Sequence, residues 1–272
     1  MGRNFVCGDT HGSVSDTRKL MRKGWSEYKT LTKEDCLFQL GDFGWIWYAL
    51  NGPNKEQDYY LGYLGSREYT LLVIPGNHEN YDEIELLPIE YRYGGKVRVL
   101  QTMFGRFDDG EIIFLERGEV YTINQKTFFV CGGASTNQAE DIDSDIYQNM
   151  PYKYNKKKNR LIEGKNWWRQ EELTDEDVEN SILNLNKHHC TVDYVLTHNA
   201  PNRVGLELLS QSDNNYKKDK IEDKHAFFFN RLIDKGLTFT QWHFGHWHKD
   251  IEINTNDGNF FCHYEKEPFQ LD

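Results

Sequence analysis

The chain has 272 residues, 38% of them hydrophobic and 28% charged, with a formal net charge of −11. This balance fits a folded α/β protein and excludes a disordered one, and no apolar run approaches the roughly 20 residues that cross a bilayer, so no membrane partner is expected. The acidic charge argues against a protein that coats nucleic acid by neutralising phosphates, so stable nucleic-acid binding is not expected either.

Five cysteines, Cys7, Cys36, Cys131, Cys190 and Cys262, are scattered without a C-x-x-C pair. Free thiols in a reduced compartment follow from that spacing, rather than a disulfide framework. The segment before the first motif, Met1 to Cys7, is too short for a signal peptide, and a cytoplasmic location is the expectation.

In chain order, residues 5–8 are predicted as a strand, 14–23 as a helix, 36–40 as a strand and 56–64 as a helix after Pro53. Residues 70–74 form the next predicted strand and 81–87 a short helix. This alternation describes a mainly parallel sheet covered on its faces. The middle changes character: 111–115, 120–123 and 127–131 are short apolar strands joined by turn-like residues, which implies antiparallel pairing. Residues 132–169 are irregular, polar and charged, and open on Gly132-Gly133. Thr174, followed by Asp175, Glu176 and Asp177, caps a helix to about 187. Then come a strand at 192–197, a helix at 224–235 and a strand at 241–245. The last two strands, 251–254 and 259–264, flank Asn256-Asp257-Gly258, a hairpin signal. With no repeat and no linker, one domain over 1–272, carrying an irregular insert at about 132–170, is the simplest organisation.

Five short runs recur beside these strands: Gly8-Asp9-Thr10-His11-Gly12, Gly41-Asp42-Phe43-Gly44, Gly76-Asn77-His78-Glu79, Thr197-His198-Asn199-Ala200-Pro201 and Gly245-His246-Trp247-His248. Loops leaving strand ends are where an α/β fold gathers a site from distant sequence. Asp9, His11, Asp42, Asn77, His198, His246 and His248 together supply enough oxygen and nitrogen donors for two metal ions. Asp42 has two carboxylate oxygens and can bridge two cations, and Asn77 offers a neutral amide oxygen. Carboxylate, amide and imidazole donors without thiolate suit a transition metal better than calcium: manganese foremost, with iron, zinc, cobalt or nickel as alternatives. Two cations roughly 3.5–4 Å apart can clamp a phosphate and lower the pKa of a shared water toward about 7. His188, His189, His225, His243 and His263 have no such context and read as surface or core residues.

The ordered set from residue 8 to residue 248 resembles the calcineurin-like metallophosphoesterase superfamily. The resemblance implies a four-layer αββα sandwich with two central mixed β-sheets and a dimetal centre at one edge. It implies Asp9, His11, Asp42 and His248 as ligands of one metal, and Asp42, Asn77, His198 and His246 as ligands of the other. His78 is implied as the catalytic residue, a proton donor to the leaving oxygen or a support for the phosphate. The expected activity is dimetal hydrolysis of a phosphate mono- or diester by an activated hydroxide, on a small phosphate-ester or nucleotide-like substrate. The alternatives are a Ser/Thr protein phosphatase-like enzyme and a non-catalytic scaffold of the same fold.

The protein phosphatase branch continues its second motif as Gly-Asp-x-x-Asp-Arg, where this chain has Trp45 and Ile46. His78 therefore needs another orienting partner, and Asp82 and Glu79 are the candidates by proximity. The aromatic residues Trp45, Trp47, Tyr48, Tyr59, Tyr60 and Tyr63 read either as packing or as a stacking wall for a nucleobase. Lys153, Lys156, Lys157, Lys158 and Arg160 form a basic run that is either a solvated loop or a lip for an anionic substrate. Arg203 is the best-placed single arginine for a phosphate contact. Gly132-Gly133-Ala134-Ser135 with Trp167-Trp168-Arg169-Gln170-Glu171 is similar to a Gly-Gly-Ala…Trp-Trp-x-x-Glu pattern of small bacterial and phage metallophosphoesterases, which puts the insert over or beside the site.

Overall fold

The computed structural model describes residues 2–50, 52–103, 107–136, 162–210 and 220–272. Two mixed sheets form its centre. The seven-stranded sheet contains β1 (Asn4–Cys7), β2 (Cys36–Leu40), β3 (Thr70–Ile74), β4 (Ile89–Arg92), β5 (Gly95–Thr102), β6 (Gly110–Leu115) and β13 (Phe269–Leu271), in the order β13-β1-β2-β3-β6-β5-β4. The six-stranded sheet contains β7 (Val120–Ile123), β8 (Lys126–Cys131), β9 (Tyr194–Thr197), β10 (Gln241–Phe244), β11 (Ile251–Thr255) and β12 (Gly258–Cys262), in the order β11-β12-β10-β9-β8-β7. In each sheet the central strands run parallel and the edges are antiparallel.

Side-chain alternation explains the layering. Along β2, Cys36, Phe38 and Leu40 enter a core shared with Phe128, Val130 and Leu196 of the other sheet, while Leu37 faces the opposite way. Along β9, Tyr194 and Leu196 join the same inter-sheet core and Val195 faces outward. A strand buried on both faces reads as a continuous apolar run, which is why β2 and β3 carry no polar alternation.

Helices cover the outer faces. Six are described: α1 (Val14–Thr17), α2 (Lys55–Gly65), α3 (Tyr81–Glu85), α4 (Asp175–Lys187), α5 (Asn202–Ser210) and α6 (Lys224–Asp234). Leu61 and Leu64 of α2 pack on the seven-stranded sheet; Val204 and Leu208 of α5 and Phe228, Phe229 and Leu232 of α6 pack on the six-stranded one. The result is the helix–sheet–sheet–helix sandwich that the resemblance implied. Side-chain caps start four of these helices: Asn54 on α2, Asn80 on α3, Asp223 on α6, and a reciprocal Thr174–Asp177 capping box on α4.

Three expectations change. The helix at 14–23 is α-helical only to Thr17 and continues as a 3₁₀ turn, Arg18–Leu20. The middle strands do not form one meander: β6 pairs with β5 in one sheet, and β7 pairs with β8 in the other, so the turn at 116–119 crosses between sheets. Strands β4, β5 and β13 and helix α5 join the predicted elements. All five cysteines are free, and Cys7, Cys36, Cys131 and Cys262 are buried. His225 and His243 are buried, His263 is half-buried, and none of them belongs to a ligand group, with His243 and His263 paired at 2.9 Å. The basic run at 153–160 and most of the insert lie outside the described residues. Among the described residues no helix is long and apolar enough to cross a membrane.

Candidate metal centre

Every sequence-predicted ligand follows the C-terminal end of a parallel strand: Asp9 and His11 after β1, Asp42 after β2, Asn77 after β3, His198 after β9, and His246 and His248 after β10. Backbone hydrogen bonds lock these loops to one another. Asp42 O accepts from Thr10 N at 3.0 Å and His11 N at 2.7 Å, and His198 O accepts from Gly245 N at 3.0 Å. The two sheets meet where His246 N donates to Asp9 Oδ1 at 3.0 Å.

Two ligand groups result, each with donor atoms within 4.8 Å of one another: Asp9, His11, Asp42 and His248, and Asp42, His198 and His246. Asp42 belongs to both. In the first group, Asp9 Oδ2 lies 3.1 Å from His248 Nε2, and Asp42 Oδ2 lies 3.4 Å from His11 Nε2. In the second, His198 Nε2 lies 3.2 Å from Asp42 Oδ1, 3.0 Å from Asn77 Oδ1 and 3.1 Å from His246 Nδ1. Asn77 Oδ1 thus lies beside the second group.

The close packing of the loops needs glycine. A Cβ on Gly41 would overlap the His198 imidazole, and one on Gly245 would overlap the Asp9 carboxylate. Backbone strain is concentrated here as well. Of nine described non-glycine residues with positive φ, four are ligand candidates: His11, Asp42, His246 and His248, at φ 49°, 51°, 62° and 50°.

The donor set fits divalent cations on two observations. Asp9 Oδ2 is buried and receives no hydrogen bond from the described residues. His198 Nδ1 faces the carbonyl of Leu40 at 2.8 Å, and a carbonyl only accepts, so Nδ1 carries the proton. In the neutral ring, Nε2 then turns a lone pair toward the Asp42 and Asn77 oxygens, beside His246 Nδ1. A cation among those lone pairs satisfies all of them. Without one, a proton takes that place: burial disfavours the His198 imidazolium, but Asp42 and Asp9 outweigh it and hold the ring at about 9. Burial likewise works to raise Asp42, yet His198, His78 and His11 hold its carboxyl well below the usual range. His246 is kept neutral by burial, with Lys220 and His198 adding to the effect.

His78 is exposed beside this cluster, with its ring centroid 5.8 Å from that of His11 and its backbone N donating to Asp42 Oδ1 at 2.8 Å. Neither expected partner orients its ring. Glu79 is fully buried and accepts from the backbone N–H groups of Phe43 at 2.6 Å, Gly44 at 3.1 Å and Gly76 at 3.4 Å. It fastens the second motif loop to the third. Burial and Asp42 push its carboxyl up to about 8 against the pull of those donors. Asp82 accepts from Trp168 Nε1 at 2.9 Å and Gln170 Nε2 at 3.0 Å. Arg203 is also committed elsewhere: its guanidinium is paired with Asp257 at 2.9 Å and with Asp234 at 2.5 Å, not with the ligand cluster. Those two carboxylates already take the guanidinium edges that a phosphate would need.

The sequence reading missed several supports. Lys19 is buried and donates to the carbonyls of Asp9, at 2.6 Å, and Tyr264. Tyr264 stacks on His248 at 4.5 Å. Thr136 accepts from Asn77 Nδ2 at 3.3 Å, and its own N donates to the buried Glu171 at 2.6 Å. The Gly-Gly-Ala…Trp-Trp-x-x-Glu pattern was the one signal for that pair, and it now has a structural meaning. The aromatic cluster divides. Trp45 is buried, stacked on Tyr60 at 4.1 Å and bonded through Nε1 to Thr17, and Ile46 is buried beside it. Tyr59 and Tyr63 pack on Phe107. Trp47 and Tyr48 line a cavity of about 370 Å³ with His11 and His78, which Trp45 also borders.

Among solved structures, the chain is similar to phosphopantetheinyl hydrolase from Mycobacterium tuberculosis, at 13% identity and a TM-score of 0.45, over 99% of this chain and 96% of that one. It is also similar to a protein described as a 5′-nucleotidase from Staphylococcus aureus in complex with alpha-ketoglutarate, at 12% identity and a TM-score of 0.41, over 95% of this chain and 48% of that one. No curated protein sequence matches the chain. The family model for calcineurin-like phosphoesterases matches residues 3–250, and the chain belongs to that family.

Proposed function

We propose that this protein is a metal-dependent phosphoesterase that hydrolyses a phosphate mono- or diester of a small or nucleotide-like alcohol. The observation that carries the reading is the pair of donor groups sharing Asp42, reached from both sheets. Asp9, His11, Asp42 and His248 would hold one divalent cation, and Asp42, Asn77, His198 and His246 the other, with manganese the first choice. When bound, such a pair neutralises phosphate oxygens and makes water acidic enough to attack phosphorus.

The chain's own residues do the rest. The Leu40 carbonyl fixes the His198 tautomer so that Nε2 faces inward, and Lys19 and the His246 N–H hold the Asp9 loop in place. His78 stands exposed at the cavity beside His11, with its backbone pinned to Asp42, where its imidazole can give a proton to the departing alcohol oxygen. The buried Trp45 and Ile46 occupy the positions of the Asp and Arg of the protein phosphatase branch, which weighs against a phosphoprotein substrate.

The test is phosphate release from a generic aryl phosphate ester with manganese supplied. Wild type should turn it over, while Asp42→Asn and His78→Ala, both still folded by circular dichroism, should lose most of the rate. Turnover at the wild-type level in Asp42→Asn would overturn the reading.

A further inference from the structure

The cavity beside His11 and His78 has a wall whose construction calls for an occupant. At about 370 Å³ it falls at the lower end of small-molecule sites, roughly 300–1,000 Å³. Trp47 and Tyr48 line it, and Tyr48 is 57% exposed. Trp45 also borders it, but that ring is buried and stacked on Tyr60, so packing accounts for it and leaves Trp47 and Tyr48 to be explained.

Their backbone is held from both sides. Gln57 Oε1 accepts from Trp47 N at 3.0 Å and Tyr48 N at 2.9 Å, and Gln57 Nε2 donates to Tyr48 O at 2.9 Å. Asn80 Nδ2 donates to Trp47 O at 2.9 Å. The Trp47 ring meets the buried Trp168 edge-to-face, with centroids 5.3 Å apart and planes at 81°, and Trp168 is itself tied to Asp82 through Nε1. An aromatic surface fixed in this way loses little freedom when a ring lands on it. Of the described residues around the cavity none is Lys or Arg, and Glu56 is acidic. A leaving group with its own phosphate would find no counter-charge among them.

We propose that this cavity receives the leaving group of the ester and selects an uncharged planar aromatic ring stacked on Trp47 and Tyr48. The proposal rests on the phosphoesterase reading above and adds the chemistry of the alcohol. The ring could be a nucleobase or another aryl group, and the experiment separates the two.

The experiment measures kcat/KM with manganese for two matched pairs: adenosine 5′-monophosphate against ribose 5-phosphate, and benzyl phosphate against cyclohexylmethyl phosphate. Within each pair the reacting ester is a primary alkyl phosphate and only the planar ring differs. Wild type should favour the ring-bearing ester by about 5- to 100-fold, the factor carried by one base–aromatic stack. Trp47→Leu, which keeps apolar volume against Trp168, should bring the ratio toward one, and so should the solvent-facing change Tyr48→Ala. Trp47→Phe should keep most of the preference. A preference in both pairs identifies any aryl ring, and a preference in the nucleotide pair alone identifies a nucleobase. A wild-type ratio near one in both pairs, or an unchanged ratio in both Trp47→Leu and Tyr48→Ala, overturns the proposal and leaves the phosphoesterase reading standing. No hydrolysis of any of these four monoesters, nor of an aryl phosphodiester assayed beside them, overturns both.

Discussion

Asn77 donates its amide nitrogen to Thr136 Oγ1 at 3.3 Å while its Oδ1 lies 3.0 Å from His198 Nε2. The hydroxyl therefore decides which end of the amide faces the candidate metal centre. An amide can turn by half a revolution with little change in shape, and only its hydrogen-bond partners distinguish oxygen from nitrogen. Thr136 is held in turn by the buried Glu171, so a chain of three residues runs from the Trp-Trp-x-x-Glu pattern to a ligand oxygen.

Thr136→Val keeps the shape and removes the acceptor. Manganese affinity should fall about 10- to 100-fold at the position Asn77 would serve, as for the loss of a partner that orients a metal ligand. The stability loss should be only about 1 kcal/mol. A manganese titration followed by electron paramagnetic resonance reads the affinity directly. An affinity within twofold of wild type would mean that Asn77 is oriented by other contacts.

Glu79 gives a stability prediction with a different cause. Removing its carboxylate in Glu79→Ala strands the N–H groups of Phe43 and Gly44, both buried. Each orphaned donor costs about 1–3 kcal/mol, so urea unfolding should show a loss of about 2–6 kcal/mol. Glu79→Gln, which keeps one acceptor oxygen, should lose distinctly less. Equal stability of the alanine variant and wild type would mean that the two motif loops are held together in some other way.

Glu171 predicts a pH dependence. Burial, with Glu172 adding to it, pushes its carboxyl from 4.5 up to about 8, although Thr136 favours the charged form. Between those values the folded protein holds a proton that the unfolded chain releases. This contribution to stability is therefore whole below about pH 4.5 and is lost as pH rises toward 8, by up to about 1.4 kcal/mol per pH unit. Glu171→Gln is neutral throughout and still offers an oxygen to Thr136 N. Its unfolding free energy relative to wild type should climb steadily between pH 5 and pH 8 in urea titrations. A constant difference across that range would refute the assignment.

The seven ligand candidates and His78 were legible because each lies in a short run at the end of an apolar strand, where sequence order and strand order coincide. The central strands were legible for a related reason: Cys36–Leu40 and Thr70–Ile74 are almost wholly buried and read as mostly apolar runs, with Gln39 and the half-buried Thr70 the polar exceptions. Strand β4 was not, because its exposed residues Ile89 and Tyr91 sit on an open edge and give no burial pattern. The partners of the site were hidden for another reason. Glu79 and Thr136 act through hydrogen bonds to residues 35 and 59 positions away, and no local spacing encodes such a bond. Arg203 misled because its nearness to His198 in sequence says nothing of Asp234 and Asp257, which claim it in space.

The left-handed backbone at His11, Asp42, His246 and His248 sets stability and chemistry against each other at four points. Glycine would occupy each of those conformations with less strain, yet it would bring no donor atom. Random mutation screened for thermal resistance alone would therefore drift toward an inert protein at these positions.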